Sequence, residues 1–247
     1  MIAAVAVDHS RELPVIRPSG HYTSRDSEPV LAMSGAQLAT LGVAPPLLVQ
    51  RVVAELRAGD TQPRAERLAA IARAGEVFET GTLAGETPGD YCWRQAQCSG
   101  VPVQVARRSL AEMRTATATL AKVLELQRPP AAAHWESAEL STSAHAVWVP
   151  RGQVLGVVAP SNHPMTHVSW LQALALGYRV AVRPGRRDPF TPMRLARALL
   201  AAGLGRGHLA VLPGPHASAD ALVDAADLAI VYGGSSTVAR YADSARV

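Results

Sequence analysis

Apolar residues recur every three or four positions between Pro45 and about Thr80: Leu47, Leu48, Val52, Val53 and Leu56, then Leu68, Ile71, Ala72 and Val77. A side chain returns to the same face of an α-helix at that interval, so the spacing predicts two amphipathic helices. Gly59-Asp60-Thr61-Gln62-Pro63 divides them, because glycine and proline interrupt a helical ladder. A further helix is predicted over roughly Val103–Leu126, stopped by Pro129-Pro130. Upstream, residues 1–30 mix Pro14, Pro18, Gly20 and many charges, and read as an irregular arm reaching to about residue 40.

The rhythm changes at His134. From there to Val149, Glu136/Ala138/Leu140 and Ala144/Ala146/Trp148 alternate loosely with polar neighbours, in a stretch rich in Ser, Thr, Val and Trp. That pattern predicts a strand or hairpin projecting from the body. From Gln153 onward, short apolar runs alternate with helical stretches. Val154–Ala159 precedes a helix near Met165–Leu176, and Arg179–Val182 one near Pro192–Ala202. His208–Leu212 precedes one near Ala217–Ala225, and Leu228–Val231 one near Ser236–Arg246. Strands apolar on both faces, each followed by a helix, predict an α/β fold with a doubly wound parallel sheet. Its ligand crevice is expected at the carboxyl ends of the strands. The chain then divides into an arm (1–40), a helical part (41–133), an extended segment (134–150) and a parallel α/β part (151–247).

Composition narrows the classes. At 247 residues and 48% hydrophobic, the chain has ample material for a core. No apolar run approaches the ~20 residues of a membrane span. The apolar opening Met1–Val7 is broken by Asp8, His9 and Arg11. It is too short for a signal peptide, so a soluble cytoplasmic protein is expected. The net charge of +4 comes almost wholly from arginine, Lys122 being the only lysine. There is no basic stripe with interleaved aromatics, which argues against nucleic acid. Cys92 and Cys98, the only cysteines, are spaced for neither a zinc site nor a redox pair and read as ordinary thiols.

The four strand-end loops carry the candidate chemistry. In Ala159-Pro160-Ser161-Asn162-His163-Pro164 the prolines set a sharp turn, and Asn162 either caps the next helix or donates an amide to a developing oxyanion. Arg183-Pro184-Gly185-Arg186-Arg187-Asp188-Pro189 is either a solvated basic turn or a cationic loop that reaches a ribose or its phosphate. In Pro213-Gly214-Pro215-His216, His216 reads as a surface histidine more readily than as a base. Tyr232-Gly233-Gly234-Ser235-Ser236-Thr237 opens a helix, as a glycine-turned cap or as an anion site suited to a pyrophosphate. No G-x-G-x-x-G follows the first strand, so a conventional dinucleotide fingerprint is absent.

In order, these loops resemble those of the aldehyde dehydrogenase superfamily, where a Pro-x-Asn-x-Pro loop precedes Lys-Pro-Ser, Val-Pro-Gly and Gly-Ser-Thr loops. Here they stand as Pro160–Pro164, Arg183-Pro184-Gly185, Leu212-Pro213-Gly214 and Gly234-Ser235-Ser236. Within the superfamily, the Arg183–Phe190 and Tyr232–Tyr241 stretches are most similar to acyl-group reductases of the luciferase-associated type. They also resemble related proteins of phenazine- or grixazone-like antibiotic pathways. The resemblance implies NADP or NAD as cofactor and a small aldehyde or acyl substrate. It implies Asn162 as oxyanion donor and cofactor contacts from Ala159, Pro160, Arg183, Gly185, Arg186, Gly214, Gly234 and Ser235. It also implies that the 134–150 segment oligomerises, giving a homodimer or a partner subunit.

Departures from the pattern matter. Arg183 replaces a ribose-binding lysine, and Arg186 stands where an acidic residue often excludes a 2′-phosphate, so NADP is favoured. Ala239 replaces a glycine and is expected to narrow the approach to the pyrophosphate. The family's nucleophilic cysteine and general-base glutamate lie well beyond the Gly-Ser-Thr loop, and Cys92 and Cys98 cannot be matched to the nucleophile. The chain alone is therefore expected to be inactive, as a truncated or split cofactor-binding portion; the rival expectation is a non-catalytic scaffold with the same fold.

Overall fold

The structure is a computed structural model that describes residues 11–137, 146–161 and 163–247. The predicted helices form α1 (Pro46–Ala58), α2 (Arg64–Thr80) and α4 (Val103–Gln127), and α1 buries Val49, Val52, Val53 and Leu56 as its spacing requires. A helix that the apolar spacing does not predict, α3 (Pro88–Ser99), holds both cysteines. Its start is a reciprocal cap: Asp90 N donates to Thr87 Oγ1 at 3.1 Å and Thr87 N to Asp90 Oδ2 at 3.0 Å. It ends at Gly100, whose φ of 79° is cheap only without a Cβ.

The main sheet contains β8 (Val154–Val158), β9 (Arg179–Arg183), β10 (Leu209–Val211) and β11 (Leu228–Val231). All are parallel, and every residue of β8, β9 and β10 is buried, as strands covered on both faces must be. The helices that follow are α5 (Val168–Ala175), α6 (Phe190–Ala201), α7 (His216–Ala225) and α8 (Ser235–Arg240). α5 and α6 pack with α2 on one face, and α7 packs with α1 on the other. The strand order β11-β8-β9-β10 reverses at β8, since the chain moves one way to β9 and β10 and then back to β11 on the far side. That reversal opens a crevice between the loops after β8 and β11.

Residues 11–40 correct the expectation of an irregular arm. β2 (Val15–Arg17) and β3 (Gly20–Tyr22) extend the main sheet beyond β10 as antiparallel strands. A separate sheet runs β1 (Glu12–Leu13), β5 (Gln37–Gly42), β4 (Ser27–Leu31). Leu13, Val15, Ile16, Val30 and Leu38 are buried there, and Pro14 and Pro18 fall between strands, where no ladder N–H is needed. Pro18 and Ser19 make the β2–β3 turn, and Gly20, at φ 118°, opens β3 opposite Arg17.

The extended segment also differs in detail. β6 (Ala132–His134) and β7 (Ala146–Trp148) pair in parallel, with Ala132 opposite Ala146 and His134 opposite Trp148. A hairpin joins only antiparallel strands, so that part of the expectation fails. The positions Ala138, Leu140 and Ala144, used to predict it, lie outside the described residues.

At Gly75, α2 packs tightly on α4. A Cβ there would meet Thr117 Oγ1 at 1.9 Å and the Arg114 Cα at 2.8 Å. In an open helix Gly→Ala gains about 1 kcal/mol. Here Gly75→Ala is expected to destabilise the fold instead, by about 1–3 kcal/mol, because the backbones must separate. Urea denaturation reads the sign; a stabilised variant would show that the helices pack more loosely than this.

Candidate functional site

The crevice, about 670 Å³, lies at the carboxyl ends of the parallel strands. Its floor is Val158, Ala159 and Pro160, where β8 ends. Gly185, Arg186 and Arg187 wall one side, and Tyr232, Gly233 and Gly234 the other. His216 and Ala219 of α7 and Thr237 and Tyr241, on and just after α8, complete the lining, with Tyr241 packed against α7.

The loops are held by backbone contacts. Ala159 N donates to the Arg183 carbonyl at 2.9 Å, and Tyr232 N to Val158 O at 2.9 Å. Gly185 sits directly on the first loop: a Cβ there would lie 2.4 Å from Pro160 O and 2.3 Å from Ser161 Oγ. Ser161 Oγ also accepts from Arg187 N at 3.4 Å. Arg183 is buried, and its Nε donates to Gly214 O at 2.9 Å, which fixes the guanidinium against the crevice. Burial lowers its pKa, opposed by Tyr241 and reinforced by Arg186. Tyr241 donates to Asp220 Oδ1 at 2.7 Å, and burial, followed by that bond, pushes its phenol up to about 12.

Beneath the first two loops lies a buried polar chain. Trp170 Nε1 donates to His167 Nδ1 at 2.8 Å, and His167 Nε2 stands 3.7 Å from Asp188 Oδ2. Asp188 Oδ1 accepts from Thr191 N at 3.0 Å, and Thr191 Oγ1 lies 2.9 Å from Tyr91 Oη. These groups set the segment after β8 beside the start of α6, with no hydrogen bond joining His167 to Asp188.

Of the predicted residues, Ala159, Pro160, Arg183, Gly185, Arg186 and Gly234 line the crevice together. Asn162 lies outside the described residues; its neighbour His163 accepts from Met165 N at Nδ1, 3.2 Å away. Gly214 is not in the lining. It is the point where the third loop packs on α7, since a Cβ would meet Ser218 Oγ at 2.5 Å. Ser235 is exposed on the first turn of α8 and is also outside the lining. Ala239 is exposed on α8 and does not narrow the crevice, contrary to expectation. Lining residues beyond the cofactor contacts that the resemblance implies include Ala219, Thr237 and Tyr241. The three- and four-residue spacings His216/Ala219 and Thr237/Tyr241 are the sequence signal that groups them. Neither cysteine lines the crevice, and burial raises Cys92 to about 11 and Cys98 to about 12, away from thiolate chemistry.

A sequence profile of the aldehyde dehydrogenase family matches residues 34–245. A putative succinate-semialdehyde dehydrogenase [NADP(+)] 2 of Mycobacterium tuberculosis is 35% identical over 99 residues, which are 39% of this chain and 19% of the relative. Human cytosolic 10-formyltetrahydrofolate dehydrogenase is 38% identical over 63 residues, 25% of this chain and 7% of the relative. Among solved structures, the NADP complex of the NADP-dependent glyceraldehyde-3-phosphate dehydrogenase of Bacillus halodurans superposes with a TM-score of 0.75 at 17% identity, covering 96% of this chain and 51% of that one. The NAD+ complex of an indole-3-acetaldehyde dehydrogenase superposes at 0.72 and 19% identity, covering 91% and 46%. The matches thus span about half or less of each relative's length.

Proposed function

The chain belongs to the aldehyde dehydrogenase family, and we propose that its crevice is the dinucleotide site of an NADP- or NAD-dependent oxidoreductase that interconverts an aldehyde and an acyl group. The observation that carries this is the position of the crevice: at the strand-order reversal, walled by strand-end loops that supply three arginines. A bound nicotinamide would supply the hydride transfer. The chain's own residues bind and orient. Arg183, held by Gly214, offers fixed donors to a ribose or phosphate, and Arg186 and Arg187 add exposed positive charge at the rim. Gly234, with no heavy atom within 4 Å of an added Cβ, leaves open backbone near the phosphates. Ala159 and Pro160 form the floor, and Ser235 opens the adjoining helix.

Asn162 is proposed as the oxyanion donor, on its place in the Pro160–Pro164 motif. Because both thiols are buried and raised, the nucleophile is proposed to come from outside these 247 residues. A finer placement among acyl-group reductases of aromatic secondary metabolism rests on the Arg183–Phe190 and Tyr232–Tyr241 stretches alone. Association through β6 and β7, whose flank exposes Val147 and Val149, belongs to the same reading.

Isothermal titration with NADP and with NAD tests the proposal. Saturable binding is expected, tighter for NADP; no saturable binding of either favours a non-catalytic scaffold. Arg186→Glu is expected to weaken NADP by tenfold or more while sparing NAD. A charge-assisted bond of about 1.5–3 kcal/mol is replaced by repulsion. Unchanged NADP affinity would remove Arg186 from 2′-phosphate recognition.

A further inference from the structure

The opposite end of the sheet holds a second cavity, where β8, β9 and β10 begin. It encloses about 230 Å³ and is lined by Arg67, Trp135, Glu136, Gly177, Arg179 and His208, among others. Five-residue strands separate it from the crevice by roughly 15 Å. No part of the dinucleotide reading uses it.

Three of these side chains are more than nine-tenths buried: Arg67, Arg179 and His208 are 1%, 8% and 2% exposed. Each carries a buried nitrogen without a partner among the described residues: Arg67 Nε, Arg179 Nε and His208 Nδ1. The histidine's state follows from its other nitrogen. Gln62 N donates to His208 Nε2 at 3.1 Å, so Nε2 is an acceptor and the neutral ring's proton sits on Nδ1. Burial, with Arg67 and Arg179 close by, lowers this histidine to about 4, which keeps it neutral at pH 7. All three orphan groups are therefore donors.

The charges around the cavity leave an excess. Arg67 is neutralised by a two-pronged pair with Glu136, at 3.1 and 2.5 Å. Arg57, also on the wall, pairs with Asp227 at 2.6 Å. Arg179 donates through Nη2 to the Gly59 carbonyl at 2.5 Å and has no carboxylate partner among the described residues. One buried positive charge and three orphan donors call for a ligand that is negative and only accepts. A water carries two lone pairs and no charge; a carboxylate, sulfate or phosphate supplies both requirements.

We propose that this cavity is a second binding site, for a compact oxyanion held by Arg179, Arg67 and His208, with the Trp135 ring as its wall. The site ties the loop between α1 and α2 to the starts of β9 and β10, so its occupant would stabilise the fold.

The full chain is unfolded thermally in sulfate, phosphate or acetate against chloride at fixed ionic strength. At least one oxyanion is expected to raise the Tm by roughly 2–4 °C. Acetate ahead of the others identifies a carboxylate site, and sulfate or phosphate ahead identifies an inorganic one. Arg179→Met is expected to lose the shift, while Arg108→Met, which removes an exposed charge elsewhere, keeps it. Crystals soaked in selenate are expected to give an anomalous peak within hydrogen-bonding distance of Arg179 and His208. No shift with any oxyanion, or a shift that survives Arg179→Met, would overturn the proposal, as would a missing selenate peak where sulfate or phosphate leads; should Arg179→Met not fold, density for the leading oxyanion beside Arg179 and His208 decides, and its absence overturns the proposal.

Discussion

Gly185→Val is expected to cost the protein at least tenfold in dinucleotide affinity, and about 1–3 kcal/mol in stability. The reason is space, since the contact sits at the junction of two crevice loops. A Cβ at Gly185 would lie 2.4 Å from Pro160 O and 2.7 Å from its carbonyl carbon, and both are backbone atoms. Ordinary van der Waals contact needs another ångström, and backbone cannot rotate aside as a side chain can. The Arg183–Asp188 loop must therefore lift away from the Ala159–Ser161 loop, carrying Arg186 and Arg187 with it and breaking the bond from Arg187 N to Ser161 Oγ. Titration and urea denaturation read the two effects separately. Wild-type affinity in a folded Gly185→Val protein would show that the crevice does not depend on this junction.

Trp170→Ala is expected to be the most destabilising single change proposed for the chain, at about 3–5 kcal/mol. Trp170 is fully buried, in the large cluster that joins α2, α4, α5 and α6 to the sheet. Truncation leaves a void that close-packed neighbours cannot fill, and it also removes the indole N–H that donates to His167 Nδ1 from 2.8 Å away. Trp170 and His167 lie just beyond the first crevice loop, so weakened dinucleotide binding should accompany the lost stability. A cost below about 1.5 kcal/mol would mean that the core collapses around the gap. Trp170→Phe keeps most of the volume but not the N–H, and should fall between the two, which separates packing from the hydrogen bond.

Much of this architecture is legible in the chain because it rests on local periodicity. α1, α2 and α4 show their apolar stripes in sequence, and β8 to β11 are short apolar runs each trailed by a helix. Prolines and glycines punctuate the strand ends, so the loops that wall the crevice could be found by position alone. What escaped depends on partners distant in sequence. β1 to β5 are two to six residues long and are stabilised by pairing, as Ile16 does with Val211. α3 presents a mixed face of Tyr, Cys, Arg and Gln, and only its Thr87/Asp90 cap announces it. The ligand contact expected at Gly214 is what the family resemblance implies for the Leu212-Pro213-Gly214 turn. Its actual constraint is Ser218, a packing neighbour visible only once α7 is in place. Tyr241 closes the Tyr232–Tyr241 stretch, but its place in the crevice lining depends on how the chain turns after α8.

Whether the crevice at the β8/β11 reversal receives a dinucleotide is decided by a crystal structure of the chain grown with NADP. The predicted result is cofactor density over Ala159 and Pro160, with phosphate oxygens within hydrogen-bonding distance of Arg183 or Arg186. A crevice left empty at saturating NADP, or a dinucleotide bound elsewhere on the molecule, would contradict it.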